Sequence, residues 1–207
     1  MIYKFYRQRI FPHLLNQVMQ TSSLMDKRRE LLLPVAGEVL EIGFGTGLNL
    51  PFYQQVDTLY ALEPNPDIYR LAARRVHETP FEVQHIQASA EKLPFASASL
   101  DHIVSTWTLC SIAHLEQALD EVYRVLKVGG TFHLVEHVLH NERPNIQRLQ
   151  KLLTPIQKRL ADGCHLNRDI ERALKDAELE LKECLYFDAA GIPAIGQRML
   201  LARAVKR

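Results

Sequence analysis

Short apolar runs alternate along this chain with longer stretches of helical periodicity, the pattern of a parallel sheet whose strands are joined by helices. The first run, Val39-Leu40-Glu41-Ile42, is bounded by Gly37 before it and by Gly43, Gly45 and Gly47 after it. That predicts a buried strand entering a tight loop whose backbone lets something approach closely. Further strands are predicted over 58–63, 81–87, 101–106, 131–135, 179–187 and 198–205. Between them, a helix over 67–77 turns Ile68, Leu71, Ala72 and Val76 inward and Arg70, Arg74 and Arg75 outward. A second helix over 114–126 keeps Leu115, Ala118, Leu119, Val122 and Val125 on one face, and Gly129-Gly130 ends it. Residues 48–53 can open a helix directly behind the glycine loop, which would set that loop at a positive helix N-terminus.

The pattern changes at two places. Residues 1–20 form an amphipathic stretch in which Tyr3, Tyr6, Ile10, Leu14 and Val18 recur at helical spacing, with Pro12 near the start of a second helix. Ser22 or Ser23 is expected to cap another helix, which Pro34 stops. These first 34 residues have three competing readings: a lid over the ligand cleft, a membrane-surface contact through residues 1–20, or plain packing on the domain's flank. Later, 141–162 inserts a helix carrying Leu149, Leu152, Leu153, Ile156 and Leu160, and Asn167 is expected to cap the next one.

Composition narrows the class. At 207 residues, with 47% hydrophobic and 24% charged residues, the chain is long enough for one full α/β core and too apolar for disorder. A formal net charge of +1 with no basic run argues against a nucleic-acid partner. Cys110, Cys164 and Cys184 make no Cys-x-x-Cys pair, so neither a structural zinc site nor a disulfide framework is expected. No apolar run reaches the roughly 18 residues of a membrane span, and Lys4, Arg7 and Arg9 interrupt the N-terminus, so a cytoplasmic location is expected.

The candidate chemistry starts at the glycine loop. A strand, a glycine loop and a helix make the nucleotide-side half of a Rossmann-like unit. The dinucleotide fingerprint places its third glycine where this chain has Leu48, which counts against a nicotinamide-dependent oxidoreductase. Glu63 stands at the end of the second strand, about 20 residues beyond the loop, where a carboxylate can accept two hydrogen bonds from a ribose diol.

Glu41-Ile42-Gly43-Phe44-Gly45-Thr46-Gly47 resembles motif I of the class I S-adenosylmethionine-dependent methyltransferases. The resemblance implies a Rossmann-like seven-stranded, mostly parallel sheet with an antiparallel last strand, helices on both faces and an N-terminal helical lid. It also implies one domain over 1–207, with 1–34 as the lid and 141–168 as an insertion near the acceptor. By the same resemblance, Glu41, Gly43, Gly45 and Gly47 hold the amino acid end of S-adenosylmethionine, and Glu63 its ribose. Ser89-Ala90-Glu91-Lys92-Leu93-Pro94-Phe95 is similar to the family's adenine-binding segment, with Ser89 where the family has an acidic residue. Ser89, Ala90, Glu91 and Thr106 complete the expected cofactor site. Glu121, Arg124 and Gly129-Gly130 match a scaffold motif of the family.

The chain lacks the Asn-Pro-Pro-Tyr-like motif of base-amine methyltransferases after its fourth strand. Trp107, Cys110 and His165 are expected on the acceptor side, and His137 is the candidate general base because histidine titrates near neutrality. No carboxylate cluster suggests a hard metal ion. Leu109-Cys110-Ser111, Glu136-His137-Val138 and 162–168 resemble a branch containing alkyl-thiol, phospholipid and quinone methyltransferases. The acceptor is therefore expected to be a small, partly apolar molecule. A third reading, a cofactor-binding protein with a degenerate methyltransferase fold, draws on Ser89.

Overall fold

The computed structural model describes residue 6 and residues 10–207. Its frame is a seven-stranded sheet built from β1 (Ala36–Ile42), β2 (Gln55–Leu62), β3 (Glu82–Ile86), β4 (Leu100–Thr106), β5 (Leu126–His137), β6 (Leu179–Asp188) and β7 (Arg198–Lys206). The strand order is β3-β2-β1-β4-β5-β7-β6. Strands β1 to β5 pair in parallel, and β7 runs antiparallel to both β5 and β6. The order reverses between β1 and β4, which opens a crevice above their carboxyl ends.

Two cores explain the layers. On one face, Leu40, Ile42, Ile103, Phe132 and Leu134 meet Ala118, Leu119, Val122 and Val125 of α5 (Leu115–Val125), together with Ile170 and Leu174 of α7 (Ile170–Asp176). On the other, Val39, Leu59, Ala61, Val104 and Val135 meet Leu31 and Leu32 of α2 (Ser22–Leu32). Adjacent strand residues such as Val39 and Leu40 thus point to opposite faces, so parallel strands covered on both sides read as continuous apolar runs. Each buried leucine here contributes roughly 1.5–3 kcal/mol.

Several predicted boundaries shift. The helix expected over 67–77 is two short helices, α3 (Pro66–Arg70) and α4 (Ala73–His77). The helix expected behind the glycine loop is a single 3-10 turn, Leu50–Phe52, because β2 restarts at Gln55 and leaves no room for further turns. Helix α2 is entered through extended Thr21 rather than capped by a serine side chain. Asp169, not Asn167, caps α7 by accepting from the Arg172 amide at 3.1 Å, while Asn167 accepts from Thr154 Oγ1. The inserted helix is α6 (Pro144–Leu160), and α1 (Phe11–Val18) carries Pro12 in its first turn as expected. Most of the first helical stretch expected over residues 1–20 lies outside the described residues. None of the described helices is long and apolar enough to cross a membrane.

Candidate active site

A cavity of about 630 Å³ fills the crevice at the carboxyl ends of β1, β2 and β4. Its walls come from the glycine loop, the N-terminal helices, the segment after β4 and the end of α6. Asn16 and Met19 from α1 and its following turn, with Leu24 and Arg28 from α2, line one side, so the N-terminal helices stand where a lid would stand. Thr46 Oγ1 ties loop to helix by donating to Asn16 Oδ1 at 2.7 Å.

The glycine loop is shaped by its contacts. Gly43, Gly45 and Gly47 all have positive φ. A Cβ on Gly43 would fall 2.0 Å from Thr108 Oγ1, so no other residue fits there without moving the β4 loop. Glu63, 7% exposed, accepts from the Gly45 amide at 3.0 Å with Oε2 and from the Asn65 amide at 2.9 Å with Oε1. Each oxygen keeps acceptor capacity toward the cavity. Burial raises its pKa against those two amides. Ser89, Ala90 and Glu91 line the adjoining wall. Ser89 Oγ accepts from the Glu91 amide at 3.2 Å, and Glu91 in turn accepts from the His114 amide at 2.7 Å.

Glu41 and Gly47 are absent from the cavity wall. Glu41 is 1% exposed and sits beneath the loop, accepting from Asn49 Nδ2 at 2.9 Å and from the Tyr53 hydroxyl at 2.7 Å. Its alternation in β1 turns it into the layer below, off the cavity wall where it was expected. Arg28, itself buried, takes the place on the cavity wall instead. Its Nη1 donates to Asn49 Oδ1 at 2.5 Å and to Thr106 Oγ1 at 3.0 Å, its guanidinium lies 4.6 Å from the Trp107 ring, and its buried Nε has no partner. Burial lowers the Arg28 pKa to about 10 and raises that of Glu41 to about 7, each partly offset by the other. The sequence signal was present: Leu24, Arg28, Leu31 and Leu32 fall on one helical face, and all four are buried.

The other end of the cavity is built on Glu136. This fully buried carboxylate accepts from the Thr108 amide at 2.8 Å, the Leu109 amide at 2.9 Å and Ser105 Oγ at 3.0 Å, all at Oε1. Burial pushes its pKa up to about 8. It thereby fixes the turn that carries Trp107 and Cys110. Trp107 holds φ +53°, a strained value for a large side chain, and is kept there by its amide bond to Val135 O at 2.8 Å and by its Nε1 against Met199 Sδ at 3.3 Å. His165 does not reach in as a free side chain: its amide donates to Cys110 O at 2.9 Å and its Nδ1 lies 3.0 Å from the same oxygen. His137 does line the cavity, with Nε2 3.0 Å from Cys164 Sγ and a buried, unpartnered Nδ1. Burial pulls its pKa down, and the neighbouring Cys110 and Glu136 outweigh this to give a net rise. The absence of a local cysteine pair did not reveal that the fold brings Cys110, His137 and Cys164 together.

One exposed apolar stretch lies on α6, where Leu152 is 72% and Ile156 56% exposed beside Lys151 and Lys158.

Comparison with known proteins agrees with this architecture. Residues 40–134 match the family model described as Methyltransferase domain. The chain is 32% identical over 192 residues to thiol S-methyltransferase TMT1A of Homo sapiens, covering 86% of this chain and 79% of that protein. It is 30% identical over 158 residues to the phosphatidylethanolamine N-methyltransferase of Cereibacter sphaeroides, covering 75% of this chain and 76% of that one. A solved geranyl diphosphate methyltransferase in complex with SAM superposes with a TM-score of 0.69 at 14% identity, covering 94% of this chain and 89% of that one. With its reversed strand order, glycine loop and Glu63 in the crevice, the chain belongs to the class I S-adenosylmethionine-dependent methyltransferases and is an enzyme of that family.

Proposed function

We propose that this chain binds S-adenosylmethionine in the 630 Å³ cavity and methylates the sulfur of a small, partly apolar thiol. The observation that carries the reading is the pairing of two ends in one cavity. One end has a glycine loop with a buried carboxylate, the other has Cys110, His137 and Cys164 among apolar walls. The cofactor fits the residues present. Glu63 has lone pairs left for a diol, and Arg28 offers a buried cation with an unpartnered Nε to a carboxylate. Ser89, Ala90 and Glu91 would receive the adenine.

When bound, the cofactor supplies a methyl group on a sulfonium already activated for displacement. The chain's own residues then position and desolvate. Leu24 and Met199 give an apolar seat that keeps water from the nucleophile, and the strained Trp107 turn holds the wall between the two ends. His137 acts on the nucleophile's proton together with the neighbouring thiols. The thiol reading is supported by the human relative's name, and family membership leaves the nicotinamide alternative without support.

A second reading, an amine on a lipid headgroup, is favoured by the exposed apolar and basic face of α6 beside the cavity and by the phosphatidylethanolamine-methylating relative. In that reading α6, with residues 1–20, touches a membrane surface. Calorimetric titration with S-adenosylmethionine, followed by mass detection of methylated alkyl thiol or methylated phosphatidylethanolamine vesicles, separates the two. Methylated thiol alone supports the leading reading, methylated lipid alone replaces it, and no heat on adding the cofactor removes both.

A further inference from the structure

Two of the chain's three thiols and one imidazole converge at the acceptor end of the cavity from segments far apart in sequence. Cys110 follows β4, His137 closes β5, and Cys164 lies in the loop between α6 and α7. Their donor atoms all lie within 4.8 Å of one another, and all three residues are buried. A tetrahedral ion with metal–sulfur bonds of about 2.3 Å and metal–nitrogen bonds of about 2.0–2.1 Å needs its donors about 3.5–3.8 Å apart. The cluster reaches that geometry with movements of roughly an ångström or less.

The scaffold holds the three donors independently of any occupant. Glu136 clamps the amides just before Cys110, and His165 clamps the Cys110 carbonyl. Arg168 spans the same turn, donating to Leu109 O at 2.6 Å and to Ile112 O. The Cys164 amide donates to Ala161 O at 2.9 Å. His137 presents Nε2 to the cluster, 3.0 Å from Cys164 Sγ, so a neutral ring can turn a nitrogen lone pair toward an ion there. A simple disulfide between the sulfurs would leave that imidazole without a role, whereas two sulfurs and a ring nitrogen make a soft donor set.

We propose that Cys110, His137 and Cys164 bind one thiophilic divalent cation, zinc by its donor set, with the fourth position turned into the cavity. Two cysteines, one histidine and an open position form a catalytic rather than a structural zinc arrangement. The open position takes the sulfur of the acceptor thiol. This second half rests on the thiol reading given above, and the metal half does not. On metal binding each cysteine S–H bond breaks, a sulfur–metal bond forms, and the proton passes to water. The entering thiol does the same, so it is held as a thiolate in an apolar cavity; with the ion bound, His137 serves as a ligand and the ion takes over its role of removing the thiol's proton. No oxidant or reductant is required.

Cobalt(II) absorption of the full-length chain tests both halves, because thiolate-to-cobalt charge transfer counts coordinating sulfurs. One cobalt per chain with a tetrahedral, two-thiolate spectrum is expected, displaced by zinc. Adding a small alkyl thiol should raise the charge-transfer band by about half, as two thiolates become three. Cys110→Ser and Cys164→Ser should each lose the tight ion, and Cys184→Ser, an exposed thiol on β6, should keep it. S-adenosylmethionine calorimetry on each variant shows that the fold survives. A wild-type chain that binds the cofactor yet takes up no stoichiometric cobalt or zinc overturns the metal site. So does an unaltered spectrum in a Cys110→Ser, Cys164→Ser double variant. A cobalt spectrum that no thiol alters overturns the acceptor half while leaving the ion in place. Undiminished thiol methylation after chelation overturns the same half and leaves the methyltransferase reading intact.

Discussion

The carboxylate beneath the glycine loop gives the chain a pH dependence that one substitution removes. Glu41 is 1% exposed and its pKa stands at about 7 in the fold against an ordinary 4.5, because burial outweighs the hydrogen bonds from Tyr53 and Asn49 and the charge of Arg28. Between those two values the folded chain binds more protons than the unfolded chain, so stability falls as pH rises. The difference between those two values corresponds to about 3 kcal/mol, most of it lost between pH 5 and pH 8. Glu41→Gln keeps the shape and an acceptor for Asn49 Nδ2, and the Tyr53 hydroxyl can turn from donor to acceptor. The variant carries no titrating group at this place. Urea denaturation at pH 5 and pH 8 should therefore show the variant gaining on the wild type by about 2–3 kcal/mol across that interval. Glu136, also raised, contributes its own slope to both proteins and cancels in the difference. Parallel stability profiles for the two proteins would refute the argument, and would mean that Glu41 stays ionised through contact with Arg28.

Four further outcomes follow from the same geometry. Glu63→Ala should weaken S-adenosylmethionine binding at least tenfold by calorimetry, which corresponds to about 1.4 kcal/mol, with thermal stability little changed. Arg28→Met should cost about 1–3 kcal/mol of stability by denaturant titration, because it leaves the buried Asn49 Oδ1 without its donor, and should weaken cofactor binding as well. Leu119→Ala should cost about 2–5 kcal/mol in the same assay without altering cofactor affinity, since the side chain lies wholly in the α5 core. Leu152→Asp should leave stability within about 0.5 kcal/mol but reduce co-sedimentation with anionic vesicles if α6 meets a membrane surface, and unchanged vesicle binding removes α6 from that role.

The sheet was legible because parallel strands covered on both faces must be apolar throughout, and Val39-Leu40, Ile103-Val104 and Leu134-Val135 satisfy that in the sequence itself. Helix ends were less legible, since local competition sets them. Asp169 and Asn167 are both good caps by residue type, and only Asp169 stands within reach of the Arg172 amide while Asn167 is taken by Thr154. The 3-10 turn at Leu50–Phe52 was misread as a longer helix because nothing in 48–53 shows how soon β2 must restart.

The two ends of the cavity differ in legibility for a physical reason. At the glycine-loop end, Gly43, Gly45 and Glu63 lie within one β-loop-β span, so their spacing is visible in the sequence. Thr106 and Arg28 already show the limit, because their contact joins residues 78 positions apart. At the other end Cys110, His137 and Cys164 come from the ends of two strands and from the loop after α6, a set that no local spacing can encode. What the sequence does carry there is residue type out of place: a buried-strand terminus spelling Glu136-His137, and a cysteine in each of two loops that otherwise needed only small apolar residues. Such misfits cost stability wherever they are unsupported. Glu136 is supported by two amides and a hydroxyl at Oε1 yet leaves Oε2 without a partner, and His137 leaves Nδ1 bare. A core under no other demand would replace them with hydrocarbon, and the thiol chemistry proposed above is a demand that these buried polar groups fit.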